Sequence, residues 1–208
     1  YLDDEAGASP EGKLAMKRMG ILILIGTLSA VAARADTDAA AAVANRFQSE
    51  LQSALTAAMA RGGPVHAVTV CRDEAPVIAS RLSRETGWQV RRVGTRVRNP
   101  FSGLPDAWEQ ARLGDIQRRM AAGESPTAIS VVERVAEPDG ASDRYLKPIV
   151  VGPLCLACHG AVASQSAELR AVLQREYPND AAVEYALGDL RGAFSLRRKA
   201  APATPKSP

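Results

Sequence analysis

The chain has 208 residues, a formal charge of +3, 46% hydrophobic residues and only 4% aromatic ones. That length fits one domain with a core large enough to enclose a prosthetic group, and so mild a positive balance gives no electrostatic footprint for nucleic acid. With three cysteines (Cys71, Cys155, Cys158) and two histidines (His66, His159), no second Cys-x-x-Cys or Cys/His pair exists to complete a zinc site of ordinary spacing.

Residues 1–15 are polar and acidic and read as an over-extended start ahead of Met16-Lys17-Arg18. Lys17 and Arg18 then form a basic n-region, residues 20–33 an almost purely apolar run, and Ala33-Arg34-Ala35 a small-x-small cleavage pattern. The apolar run is shorter than the roughly 18 residues of a spanning helix, which favours a cleaved signal peptide over an uncleaved anchor. The expectation is export to the periplasm with cleavage after Ala35, and no stable membrane insertion afterwards. Residues 1–35 carry equal numbers of acidic and basic side chains, so the mature charge stays at +3.

The folded unit is expected over 36–198, with 199–208, rich in Pro, Ala and charge, a disordered tail. Residues 37–60 carry Val43, Phe47, Leu51, Leu55 and Ala58 at helical spacing, which predicts a long amphipathic helix stopped by Arg61-Gly62-Gly63-Pro64. The β-branched run 65–71 reads as a strand, and 74–86 as a helix ended by Gly87. Residues 89–98 alternate and read as a strand closed by Asn99-Pro100, followed by a loop over 100–105 and a helix over 106–122. Two strands, 127–135 and 144–151, flank the Pro138-Asp139-Gly140 turn as a hairpin. A helix over 166–176 and a short strand over 192–197 complete the pattern. Helices flanking an antiparallel sheet make the predicted class α+β.

The chemistry concentrates in Cys155-Leu156-Ala157-Cys158-His159. C-x-x-C-H is the attachment sequence for haem c: each sulfur adds to one vinyl group, and the adjacent imidazole ligates the iron. The bland alternative is a dithiol or structural disulfide with an accidental histidine neighbour. Covalent haem attachment is normally an extracytoplasmic event, which agrees with the export signal. Two thioethers leave Cys71 unpaired in an oxidising compartment, where iron ligation is one explanation and a small buried hydrophobe the other. His66, Met59 and Met120 are the competing sixth ligands. Arg92, Arg96 and Arg98 share parity on the expected strand and would leave one face together, either as a solvated surface or, at Arg96 and Arg98, as contacts to the haem propionates. Trp88 and Trp108 read as packing residues, and Asp189 and Arg191 as a structural pair at the turn into the last strand.

Several ordered segments resemble the c-type haem domains with a PAS-like fold: Ala67-Val68-Thr69-Val70-Cys71 with Ala75-Pro76, Arg91 through Pro100, Leu104-Pro105 with Trp108-Glu109, Leu154 through Gly160, and Gly188-Asp189 through Ser195. The resemblance spans nearly all of 36–198. It implies a five-stranded antiparallel PAS-like sheet flanked by helices, and one covalent haem c with His/Cys axial ligation. Carried over by motif, Cys155 and Cys158 are the thioether anchors, His159 one axial ligand and Cys71 the second. The departure is Phe101-Ser102-Gly103 after Asn99-Pro100, which touches a loop and no ligand.

A thiolate ligand donates electron density and lowers the reduction potential, so the functional expectation is a low-potential periplasmic c-type cytochrome with a separate redox partner protein. No acid/base pair or Ser/His/Asp constellation stands out, so no enzyme activity is expected. The alternative is a haem-based redox or diatomic-gas sensor acting through another protein, with a haem peroxidase as a third class requiring an open coordination position.

Overall fold

The computed structural model describes the backbone of residues 15–200, with side chains from residue 36. The expected start and signal segment, 1–35, therefore lies outside the described side chains, and 201–208 outside the described residues. The chain divides into two compact units, 1–39 and 40–208, and the sheet, the core and the cysteine–histidine motif belong to the second.

Helix α1 (Ala15–Thr69) contains the expected helix, with Val43, Phe47, Leu51 and Ala58 buried at helical spacing. It breaks where Gly62 and Gly63 leave helical geometry. Gly63, at φ 63° and ψ −160°, adopts a backbone that side-chain-bearing residues avoid. Pro64 restarts the helix, where its missing N–H is no loss.

The strand expected at 65–71 is not formed. Those residues are helical to Thr69, and the chain then winds through a π-helical turn, Val70–Glu74, into α2 (Ala75–Thr86). A short β-branched run cannot by its own pattern distinguish a strand from a helix buried on two sides, and this one is buried on two sides. Ala67 and Val70 join the core against α1 and α2, while Val68 packs with Leu169, Leu173 and Tyr177. Helix α2 buries Ala75, Ala79 and Leu82 and stops at Gly87, whose φ of 72° lets its N–H reach Ser83 O at 3.0 Å.

Strand β1 (Gln89–Gly94) stops four residues short of the expected 98. A Cβ on Gly94 would lie 2.7 Å from Arg96 O, so the backbone there folds back on itself and leaves the ladder. The expected loop at 100–105 contains a single helical turn, α3 (Pro100–Gly103), capped by the Asn99 side chain. Helix α4 (Ala107–Ala121) starts in a capping box in which Asp106 and Glu109 satisfy each other's backbone N–H groups. Strands β2 (Val131–Glu137) and β3 (Gly140–Val150) form the expected hairpin. Helices α5 (Pro153–His159) and α6 (Ala167–Glu176) follow, α6 capped by Ser166. The last strand, β4 (Leu190–Lys199), is longer than expected and pairs Lys199 with Ser142, so residue 199 belongs to the sheet.

The sheet is antiparallel throughout, in the order β1-β4-β3-β2. The described residues thus form four strands rather than the five implied by the resemblance, because 65–71 is helical. The fold is α+β. One face packs Trp88, Val90, Tyr145, Phe194 and Leu196 on α1 and α2, and the other packs Val93, Leu146 and Ala193 on Leu113 and Ile116 of α4. Between α4 and the sheet lies a buried polar knot. Ser195 donates to Glu109 at 2.6 Å, and Arg144 pairs with Asp106 while lying over the Trp108 ring. Trp88 and Trp108 are packing residues in this arrangement, the latter donating to Glu133 at 2.8 Å.

Candidate functional site

Helix α5 is seven residues long, opened by Pro153 and closed by Gly160. A Cβ on Gly160 would stand 2.7 Å from Leu156 O, so the helix can end this tightly only at glycine. At helical spacing Cys155 and Cys158 lie three residues apart and share a side, with His159 four residues from Cys155. The segment 182–185 runs beside the helix end and fixes it. Glu184 N donates to Gly160 O at 3.0 Å and Tyr185 N to His159 O at 3.0 Å. Glu184 holds φ at 58°, uncommon outside glycine, while its carboxylate accepts from Val162 N at 2.8 Å.

His159 Nδ1 lies 2.6 Å from Ala182 O. A carbonyl can only accept, so Nδ1 carries the proton and Nε2 keeps its lone pair, the tautomer a metal ligand needs. The Tyr185 ring stands edge-on to the imidazole at 6.3 Å. Burial pushes the His159 pKa well below its ordinary value, and the charges of Arg98 and Arg191 push the same way against the Ala182 contact. The imidazole is held neutral.

Burial likewise pushes the Cys158 thiol up to about 11, against the nearby Arg98 charge and helped by Cys71 and Cys155. Its sulfur faces Pro64 O at 3.9 Å, and the side chain packs beside Val65, Val68, Leu169 and Tyr177. Cys155 packs with Val151, Ala182 and Tyr185. Cys71, in the π-helical turn, is close enough for its charge to raise both Cys158 and Tyr177, the latter to about 12 chiefly through burial. No disulfide joins the three cysteines. Cys71, 84 residues before Cys155 in sequence, thus joins the same site. Of its rivals, His66 is exposed, while Met59 and Met120 pack against the two cores on either face of the sheet. Among the described residues no group of three or more His, Cys, Asp or Glu side chains could hold a bare metal ion. A groove of about 490 Å³ lies on the far side of Pro64, Val65 and Val68, its other walls polar with His66, Arg72 and Glu168.

Because β1 ends at Gly94, Arg96 and Arg98 do not share its face with Arg92. Arg98 is 8% exposed and runs beneath the motif. Its Nε donates to Asp180 at 2.9 Å and its Nη2 to Cys158 O at 2.6 Å, while Asp180 also accepts from Ala182 N at 2.8 Å. Arg98 and Asp180 together tie the segment after β1 to both the cysteine helix and the 182–185 segment. Arg96 lies over the Tyr185 ring at 3.9 Å and donates to Glu184 O at 3.2 Å. The expected Asp189–Arg191 pair is absent. Asp189 caps Ala186 N and faces Arg96 at 3.9 Å, whereas Arg191 donates to Arg96 O at 2.9 Å.

Sequence reasoning passed over Asp180, Ala182 and Tyr185, and gave Arg191 only a pairing with Asp189. Asp180, after Pro178-Asn179, carries a readable turn signal. The carbonyl of Ala182 carries none, since only the fold brings it to His159. Among the described residues no helix is long and apolar enough to cross a membrane.

A crystal structure of the cyanobacterial heme-protein Tll0287 is similar to this one, with a TM-score of 0.52 and 27% sequence identity over 65% of this chain and 74% of that chain. No curated protein matches. The model of the Tll0287-like family, described as Tll0287, matches residues 28–198, and the chain belongs to that family.

Proposed function

We propose that this protein is a periplasmic c-type cytochrome that holds one covalent haem and works in low-potential electron transfer. The observation that carries the reading is the C-x-x-C-H helix, whose histidine has its Nδ1 proton committed to Ala182 O and its Nε2 free. The donor set fits the group: two thiols on one side of a short helix, a neutral imidazole beside them, and a third thiol nearby. Membership of the Tll0287-like family, and likeness to a relative described as a heme-protein, support the same reading.

Cys155 and Cys158 would hold the haem through thioethers, and His159 and Cys71 would ligate its iron. Bound haem supplies one-electron exchange between ferric and ferrous iron, and thiolate ligation favours the ferric state. The chain's own residues set the conditions. Ala182 O orients the imidazole and Arg98 with Asp180 fixes the backbone of Cys158. Val65, Val68, Leu169 and Tyr177 keep the wall at Cys158 apolar. The electron partner is a separate protein, and the apolar run and cleavage pattern before Asp36 support export.

A haem-based sensor is the second reading, favoured by the π-helical turn that carries Cys71. Such turns are frequent at functional sites, and one that yields would open the sixth position. Ferric and ferrous absorption spectra of the purified protein, with and without CO, separate the two. A six-coordinate spectrum indifferent to CO is expected for the electron carrier, and ready CO binding on reduction for the sensor. Absence of any haem absorption would contradict both.

A further inference from the structure

Arginines withdrawn from solvent in this fold end on carboxylates: Arg91 on Glu109, Arg98 on Asp180, Arg112 on Asp115, Arg144 on Asp106 and Arg197 on Glu137. Arg81, Arg96, Arg119 and Arg198 follow the same rule. Among the described residues Arg92 and Arg191 are partly buried and have no carboxylate partner. A guanidinium taken from water without a counter-charge is costly, and burial holds the Arg191 pKa below its ordinary value.

The two are also placed together by the fold. Arg191 has no partner on β3, because Ile149 pairs with Gly192 and Val150 with Leu190. Such an extra residue re-aims a side chain out of the ladder; Gly192 lets the β1 and β4 backbones close up beside it, and Gly94 leaves room for its guanidinium. Gly192 sits at φ 152°, with its would-be Cβ 1.9 Å from Val93 O, and a Cβ on Gly94 would meet Arg191 Nη1 at 2.9 Å. The guanidinium carbon of Arg191 lies 5.4 Å from the centre of the Tyr185 ring, and that ring stands edge-on to His159. One N–H is spent on Arg96 O and the Tyr185 hydroxyl engages the guanidinium as well, but no carboxylate does, and the fork keeps donors for an anion. Arg92, opposite Phe194 on β4, carries its guanidinium 6.0 Å from the Phe47 ring centre. His159 feels the charge of both.

We infer that Arg92 and Arg191 form the seat for a pair of carboxylates, the two propionates of the haem, beside the Cys155–His159 helix. The inference rests on the haem reading above. Two guanidiniums offer forked donors to two carboxylates and gain the counter-charges the protein does not itself supply. Arg96 and Arg98, which already face the carboxylates of Asp189 and Asp180, frame the site instead.

The test uses the holo-protein with haem attached. Resonance Raman propionate-bending bands and the midpoint potential are measured for Arg92→Gln, Arg191→Gln and Arg96→Gln. The first two are expected to shift the bands and to move the midpoint negative, since a lost cation stabilises ferric iron; Arg96→Gln is expected to leave the bands in place. Should Arg191→Gln fail to accumulate, Arg191→Lys is expected to shift the band while largely keeping the midpoint. Unchanged bands in the Arg92 and Arg191 variants, with haem attached, overturn the inference. A wild-type protein that carries no covalent haem overturns the reading beneath it.

Discussion

Cys71 and Arg98 stand near Cys158 in different ways, the first through its charge and the second through a hydrogen bond, and substitutions separate them. Cys71→Ala is expected to alter the ferric spectrum by removing a thiolate ligand, with covalent haem retained through Cys155 and Cys158; an unchanged ferric spectrum would show that Cys71 does not ligate. Arg98→Met leaves Asp180, a side chain about 10% exposed, without its cation. Breaking a buried ion pair in this way costs about 3–5 kcal/mol, so the urea midpoint should fall clearly. The double change Arg98→Met with Asp180→Leu should recover part of that loss, and a surface-like effect under 1 kcal/mol would contradict the clamp. The grouping of Cys155, Cys158 and His159 was legible from five residues because they share one short helix. The partner atoms of His159 were not legible, because a backbone carbonyl looks the same at every position in a sequence. Arg98 was read as a solvated strand residue or a propionate contact, and Asp180 and Cys158 O claim it only because β1 ends early.

At the scale of elements, periodicity located the longer helices and the hairpin, which present a clean face to the core as Val43, Phe47 and Leu51 do on α1, but not the short α3 and α5, which bury no residue fully. It failed at 65–71, where burial on two sides erased the face and β-branching pointed to a strand. The same region, wound as a π-helical turn, brings Cys71 to the Cys158 side. Glycine chemistry marks the other place where local pattern gave way, at the β1–β4 edge. Gly192→Ala would force a Cβ into Val93 O at a φ of 152°, adding backbone strain of about 1–3 kcal/mol to overpacking of similar size. A fall in thermal midpoint is expected, together with weaker amide protection across β1 and β4; wild-type stability would mean the bulge does not need its glycine. Gly140→Ala, with nothing within 4 Å of its Cβ, should cost less despite its own φ of 112°.

For the whole molecule, acid tests the ion pairs that fasten α4 to the sheet. Burial works against the Asp106 charge, but the Arg144 guanidinium and the Glu109 N–H outweigh it and hold the carboxyl below its ordinary value of 3.8. Asp143, bonded to Arg134, is lowered in the same way. A lowered folded-state pKa adds stability that is fully present above the unfolded value and is lost as pH falls through the folded one. Stability followed by denaturant unfolding should therefore decline below about pH 4, and Asp106→Asn should flatten that decline. An equal slope in the variant would remove Asp106 from the account. The fold class was readable from the alternation of helices and short strands, whereas the strand count was not, since it hinged on the one ambiguous run.

The measurement closest to the central claim is the intact mass of the protein purified under unfolding conditions from cells that both export it and attach haem c. A chain beginning at Asp36 and heavier by one haem, with that haem lost from Cys155→Ala, Cys158→Ala double variants, is the expected result. A folded, exported chain of unmodified mass with free thiols at Cys155 and Cys158 would contradict it.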